Sequence, residues 1–66
     1  GTTACILNAT NEIAVDAFLN DKISFCEISQ LNNDVVKAAK IITKPVYEDY
    51  VTSDKVARQS ALKLIQ

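Results

Sequence analysis

The 66-residue sequence lacks histidine, methionine and tryptophan, and it has one glycine and one proline. Without histidine the chain has no imidazole to act as an acid or base near neutral pH, which argues against an independent enzyme. Tight β-turns usually draw on glycine, so a single glycine at the first position argues against a β-rich fold. The length allows one small domain of marginal stability, and we predict helices joined by short polar connections.

An excess of charge of one sign is also missing, because seven basic and eight acidic side chains leave a formal charge of −1. Nucleic-acid modules and anionic-membrane binders normally carry a basic face, so we predict neither kind of partner. No apolar run approaches the roughly 20 residues of a membrane span. The two cysteines, Cys5 and Cys26, are too few for a disulfide framework, and we interpret them as reduced, cytosolic and at or near a core.

The hydrophobic spacing predicts a first amphipathic helix from about Thr3 to Asn20, with Thr3 as its N-cap and Asn20 and Asp21 as its break. Asn11 lies within the apolar arc, where an unpaired amide would cost about 1–3 kcal/mol. We therefore expect it to bond an adjoining helix or loop, with a ligand as the alternative. Cys5 and Ala9 are predicted to lie on the opposite, polar side of this helix. At about 100° per residue the arc holds ten residues: Ile13, Ile6, Ala17, Thr10, Ala14, Leu7, Phe18, Asn11, Ala4 and Val15.

A second helix is predicted over residues 25–41. Ser24 and Glu27 have the spacing of a capping box, in which each side chain bonds the other residue's backbone amide. Ile23 and Ile28, on either side of this box, can form a hydrophobic staple. Ser29 is an alternative start, after a separate single turn. The apolar repeat of this helix is Phe25, Ile28, Leu31, Val35, Ala38, Ala39 and Ile42.

Lys44 and Pro45 end the second helix, because proline lacks an amide hydrogen and disfavours the α region for the residue before it. The next residues, 46–51, are typical of a strand, but the sequence offers no partner strand. An isolated strand is unstable, so we predict a helical turn at residues 47–51 instead.

A last helix is then predicted to about Ile65, capped by Thr52 or Ser53. Asp54 in its first turn and Lys63 in its last would suit the helix dipole. Its predicted core stripe is Val56, Ala57, Ser60, Ala61, Leu64 and Ile65. Three helices with short connections predict an all-α fold, a small antiparallel three-helix bundle.

Several residues have a chemical interpretation beside a structural one. Cys26 at a helix start could be a nucleophile, but its neighbour Glu27 opposes thiolate formation. The single arginine, Arg58, could bind phosphate, but an ion pair with Asp54 one turn earlier is the favoured interpretation. Two acidic groups could hold a hard cation, although solvated surface is favoured for both: Glu12 with Asp16, and Glu48 with Asp49 and Asp54.

Two segments resemble a known family. Residues 7–19 (LNATNEIAVDAFL) and 22–28 (KISFCEI) closely resemble the C-terminal helical domain of 1-deoxy-D-xylulose 5-phosphate reductoisomerase. That family typically shows Leu-Asn-Ala-Ala-Asn-Glu, an aliphatic pair, Ala-Phe-Leu, and then Ile-x-Phe followed by an acidic residue and Ile. The resemblance extends to Ser53-Asp54 and Ala57-Arg58. Its structural signature comprises Asn8, Asn11, Glu12, Phe18, Phe25, Asp54 and Arg58. Small departures stand at Thr10, Cys26 and Ser53.

The resemblance implies that residues 1–66 are part of a four-helix-type C-terminal domain of a longer enzyme. That enzyme converts 1-deoxy-D-xylulose 5-phosphate to 2-C-methyl-D-erythritol 4-phosphate with NADPH and Mg²⁺, Mn²⁺ or Co²⁺, in non-mevalonate isoprenoid synthesis. The family's nucleotide-binding and metal-binding motifs belong to its other domains, so no catalytic, cofactor or metal residue transfers to this chain. The fragment alone is expected to be inactive.

The implied partners are the remaining domains of the same chain, in a parent that is a homodimer. The implied location is the bacterial cytoplasm, or a plastid-type organelle in a eukaryote. A hypothesis of another class is a free-standing interaction module that binds an amphipathic helix in a groove. A dinucleotide-binding fingerprint in the upstream reading frame would favour the reductoisomerase domain over this module.

Overall fold

The computed structural model describes residues 1–65, which form three α-helices and no strand. The helices are α1 (Thr3–Leu19), α2 (Phe25–Ala38) and α3 (Tyr47–Ile65). α1 and α3 run parallel, because Cys5 contacts Tyr50 near their starts and Glu12 contacts Arg58 further along. α2 runs antiparallel to both, so the predicted all-α three-helix bundle is confirmed. None of the three helices is both long and apolar enough to cross a membrane.

α1 is the centre of the bundle, because it contacts α2 and α3 far more than they contact each other. The predicted arc of α1 is partly wrong: Ala9 is buried, whereas Leu7 and Val15 are exposed. The buried face is turned toward Ala9 because α3 lies along that side of α1. The core cluster consists of Ile6, Ala9, Ala14, Leu31, Val35, Ala57 and Ala61.

The start of α1 differs from the prediction by one residue. Thr2 is the N-cap and Thr3 is already helical, but the Thr2 side chain caps nothing in α1. Instead, its Oγ1 accepts a hydrogen bond from the Ile42 amide at 3.0 Å, and its own amide donates to the Ile42 carbonyl at 3.1 Å. Thr2 is fully buried, so this pair fixes the chain before α1 against the α2–α3 linker (residues 39–46).

α1 ends at Leu19, and the break predicted at Asn20 and Asp21 is confirmed. The amides of Asp21 and Lys22 donate to the carbonyls of Phe18 and Ala17 at 3.1 and 2.9 Å. These two bonds form a Schellman motif, which needs a left-handed residue just after the cap. Asp21 adopts that conformation with φ of 59°.

α2 begins at Phe25 as predicted, and the capping box is confirmed. The Ser24 amide donates to Glu27 Oε1 at 2.8 Å, and the Glu27 amide donates to Ser24 Oγ at 3.4 Å. The helix does not restart at the alternative cap, Ser29. It ends at Ala38, three residues before the predicted end, because Ala39 is extended with φ of −77° and ψ of 149° and the following linker is bonded to Thr2 through Ile42.

α3 is continuous from Tyr47 to Ile65, so the predicted break and cap at Thr52 or Ser53 is wrong. The predicted turn and the predicted last helix form one helix, because no glycine or proline interrupts them. Asp54 accordingly lies inside the helix rather than in its first turn. Ala57 and Ala61 are buried as predicted. The buried stripe is narrower than predicted, since Val56 and Leu64 are exposed, because α2 covers little of α3.

Candidate functional site

Arg58 connects α1 and α3 through two carboxylates. Its Nε and Nη2 donate to the two carboxylate oxygens of Asp54 at 3.0 and 3.3 Å, and Nη2 also donates to Glu12 Oε2 at 2.5 Å. The hydrogen bonds to Asp54, and secondarily those to Glu12, raise the pKa of the guanidinium. The predicted Asp54–Arg58 pair is confirmed. Glu12 was missed as a partner because it lies 46 residues from Arg58 in sequence.

Four of the five acidic residues that suggested cation sites accept hydrogen bonds within the bundle. Glu12 bonds Arg58, and the neighbouring Asp16 accepts a hydrogen bond from Asn20 Nδ2. Asp49 Oδ2 accepts from the Val46 amide at 2.9 Å, at the start of α3. Among residues 1–65, no three His, Cys, Asp or Glu side chains come together as a potential metal site.

Asn11 bonds across the contact between α1 and α2. Its Oδ1 accepts a hydrogen bond from Asn32 Nδ2 at 3.1 Å. The expected partner on an adjoining helix is thus present, although Asn11 is exposed and the partner is a side chain. Sequence reasoning missed Asn32, whose position beside Leu31 in the apolar repeat of α2 was the available signal. Asn8 is exposed and lies beside both amides.

Phe18 and Phe25 close the α1–α2 turn. Their rings meet edge to face, with centroids 5.8 Å apart and an angle of 69° between planes. Phe25 remains 72% exposed, so this contact covers only part of the ring. Phe25 is also the first helical residue after the Ser24 cap, so the capping box positions it against the end of α1.

Both cysteines are free thiols. Cys5 is half-buried, and its Sγ lies 3.5 Å from the Tyr50 carbonyl oxygen. Cys26 is exposed at the start of α2, so its predicted place at or near a core is wrong. It points outward because the core-facing positions of α2 are those of Leu31 and Val35.

A groove separates α2 from α3, because these two helices contact each other little. Its floor is formed by Ile6, Val35 and Ala57, and its volume is about 340 Å³. Small side chains line its walls, among them Ala38 and Ser53. The groove is an apolar opening in the bundle, without a cluster of charged side chains.

Comparison with known proteins gives one family. The family model described as the DXP reductoisomerase C-terminal domain matches residues 1–60. A 1-deoxy-D-xylulose 5-phosphate reductoisomerase of Phocaeicola vulgatus is 48% identical over 65 residues. The enzymes of the same name from Bacteroides thetaiotaomicron and Halothermothrix orenii are 43% and 44% identical over 65 and 61 residues.

These matches cover nearly all of this chain but a small part of each relative. The Phocaeicola and Bacteroides matches span 98% of this chain and 17% of the relative, and the Halothermothrix match spans 92% and 16%. The family model and the relatives match nearly the same residues of this chain. The chain therefore belongs to the family of DXP reductoisomerase C-terminal domains.

Proposed function

We propose that this chain is the non-catalytic C-terminal domain of a longer 1-deoxy-D-xylulose 5-phosphate reductoisomerase, in which it stabilises the fold by contacting the remaining domains. The observation that carries this proposal is the coverage of the match: 98% of the chain aligns with 17% of the relative. The longer protein would be bacterial and cytoplasmic, since the relatives named above are from bacteria, or plastid-type in a eukaryote. Its homodimeric state stays a prediction.

The longer protein would convert 1-deoxy-D-xylulose 5-phosphate to 2-C-methyl-D-erythritol 4-phosphate with NADPH and a divalent cation. The residues described here do not offer a metal site, since their carboxylates are dispersed or bonded to Arg58 and to backbone amides. We therefore assign the cation to the remainder of the longer protein, and we assign NADPH there as well because the family resemblance implies a separate nucleotide-binding domain.

The contacts of the signature residues support a structural role. Arg58 donates to two carboxylates on two helices, and Asn11 bonds α2. Phe18 and Phe25 contact each other at the α1–α2 turn. Each of these side chains connects one helix of the bundle to another, which is what a domain with a supporting function requires.

The test uses the full-length polypeptide that contains this segment, with the variants Ile6→Ala and Arg58→Ala. We expect both to lower the melting temperature while kcat/KM for the sugar phosphate, measured below that temperature, stays within about twofold. If Arg58 bound the substrate phosphate, Arg58→Ala would instead raise KM many-fold, and Arg58→Lys would raise KM less because lysine keeps the positive charge. A selective rise in KM in Arg58→Ala would contradict the structural role.

A second measurement separates the domain from an independent activity. Calorimetric titration of the 66-residue chain with NADPH should give no binding heat, and the chain should not oxidise NADPH in the presence of substrate. Clear binding or turnover by the chain alone would overturn the proposal. The alternative of a free-standing interaction module would require a reading frame without reductoisomerase sequence before Gly1.

A further inference from the structure

Four large side chains at the start of α3 are exposed together, and we call them the α3-start patch: Val46, Tyr47, Tyr50 and Val51. Both tyrosines of the chain belong to it. Tyr47 is 77% exposed and Val46 is 60% exposed. Clustered apolar surface of this kind is typical of contact sites, whereas scattered exposed residues are not.

Val46 occupies a position where its own helix gains nothing from valine. It precedes the first residue of α3, and its amide donates to the Asp49 carboxylate, which is one half of a capping box. The other half needs a side-chain acceptor, and valine is among the least favoured residues at this position. Because Val46 is also mostly exposed, burial against residues 1–65 does not offset the missing cap.

The patch lies at the end of the bundle where α1 begins. Cys5 Sγ contacts the Tyr50 carbonyl oxygen, and Thr2 is bonded to Ile42 in both directions. Gly1 lies against the same linker, so closely that an added Cβ would be 2.8 Å from the Ile42 carbonyl oxygen. A polypeptide continuing before Gly1 therefore leaves the bundle beside the linker and the α3-start patch.

We infer that the α3-start patch is the surface on which this domain contacts the polypeptide preceding Gly1 in the longer protein. The inference rests on the proposed function. The relatives provide ample chain to cover the patch, since this domain spans 17% of their length. Contact there removes Val46 and Tyr47 from water, which accounts for apolar side chains at positions that do not serve the bundle itself.

The first experiment places the photoreactive residue p-benzoylphenylalanine at position 47 of the full-length polypeptide. Leu62, which is 49% exposed toward the other end of α3, is the matched control position. Irradiation and mass spectrometry of the monomer band should give cross-links from position 47 to peptides upstream of Gly1, and at least fivefold fewer from position 62. Equal cross-linking from both positions, cross-links from position 47 that appear only in bands heavier than the monomer, or no upstream cross-link in the monomer band would overturn the inference.

The second experiment uses the sign of a stability change. Val46→Ser adds a side-chain acceptor at the start of α3, so it should raise the melting temperature if Val46 stays in water. If the patch is buried against the preceding polypeptide, Val46→Ser lowers the melting temperature of the full-length protein, while the control Leu62→Ser changes it less. A rise with Val46→Ser would contradict the inference.

The failure of this inference is distinguishable from failure of the proposed function. NADPH oxidation by the unmodified full-length protein, dependent on 1-deoxy-D-xylulose 5-phosphate, tests only the proposed function. An active enzyme whose position 47 gives no upstream cross-links contradicts the contact surface alone. A full-length protein without that activity contradicts the function on which the contact surface depends.

Discussion

The two connections between the helices are stabilised by contacts of different sequence range. In the α1–α2 turn, the hydrogen bonds of Asp21, Lys22 and Ser24 all join residues three to five positions apart. In the α2–α3 linker, Ile42 is bonded to Thr2, 40 residues away. The first connection is held by bonds among its own residues, whereas the second is held by bonds to Thr2 at the start of α1. Variants in each region should therefore affect stability in different ways.

The largest effect is expected at Ile6, whose buried side chain lies beneath the linker and forms part of the core. Ile6→Ala removes buried methyl groups and leaves a cavity, so we expect a loss of about 2–5 kcal/mol in the free energy of unfolding. Ile23→Ala, at the half-buried side of the α1–α2 turn, is the matched control. Urea unfolding followed by circular dichroism measures the free energy of unfolding of both variants. An equal loss in the two would contradict a larger stabilising contribution from Ile6, beneath the linker, than from Ile23 in the α1–α2 turn.

The next effect is expected at Thr2. Thr2→Val keeps the shape of the side chain but removes the acceptor for the Ile42 amide, which costs about 1–3 kcal/mol when a buried donor loses its partner. Hydrogen exchange at Ile42 should accelerate together with the loss of stability. Thr52→Val, on the exposed side of α3, is the control and should change neither quantity appreciably. Unchanged exchange at Ile42 would show that the bond does not hold the linker.

These two regions also show what could be predicted from the sequence. The capping box and the break at Asn20 are local signals, and both are correctly predicted. The end of α2 at Ala38 precedes the stop predicted at Pro45, because it is not set by proline. The bonds from Thr2 to Ile42 and from Glu12 to Arg58 join residues more than 39 positions apart. Hydrophobic periodicity says which side of a helix is apolar, but it does not give the neighbour that will face it.

The continuity of α3 was missed for a related reason. Thr52 and Ser53 are residue types that favour an N-cap, but no helix breaker lies between them and Tyr47, so the helix continues through both. The burial of Ala9 was missed because the spacing of α1 alone does not show that α3 covers that side. The resemblance to a known family supplied the identity of the domain, which composition and spacing did not.

An intermediate effect is expected at Ser24, which tests the local character of the α1–α2 turn. Ser24→Ala removes the acceptor for the Glu27 amide, and loss of such a cap costs about 1 kcal/mol. Ser29 is the alternative start that the helix does not use. Ser29→Ala should therefore leave the free energy of unfolding almost unchanged or raise it slightly, by a few tenths of about 1 kcal/mol, because alanine has the higher helix propensity. Equal losses in the two variants would mean that Ser24 does not act as the cap.

A smaller effect of opposite sign is expected at Asp21, which has positive φ. Asp21→Gly relieves the left-handed conformation but makes the unfolded chain more flexible, so we expect a net gain of roughly 0.5 kcal/mol. Asp21→Ala removes the same charge without the conformational relief and should destabilise the protein. The two variants together separate backbone strain from charge in thermal unfolding, and a gain in both would attribute the effect to charge.

The smallest effect is a pH dependence at Glu27, which is exposed to solvent. The hydrogen bond from the Ser24 amide, with a smaller contribution from the Ser24 hydroxyl, lowers the pKa of Glu27 below its ordinary value of 4.5. Because the folded-state pKa is the lower one, the stabilisation is complete above pH 4.5 and is lost as the pH falls through the folded value. Glu27→Gln can form the capping box without titrating. The stability difference between wild type and Glu27→Gln should therefore be constant above pH 4.5 and change in acid to the disadvantage of the wild type. A difference that stays constant on acidification would show that the carboxylate of Glu27 does not strengthen the start of α2.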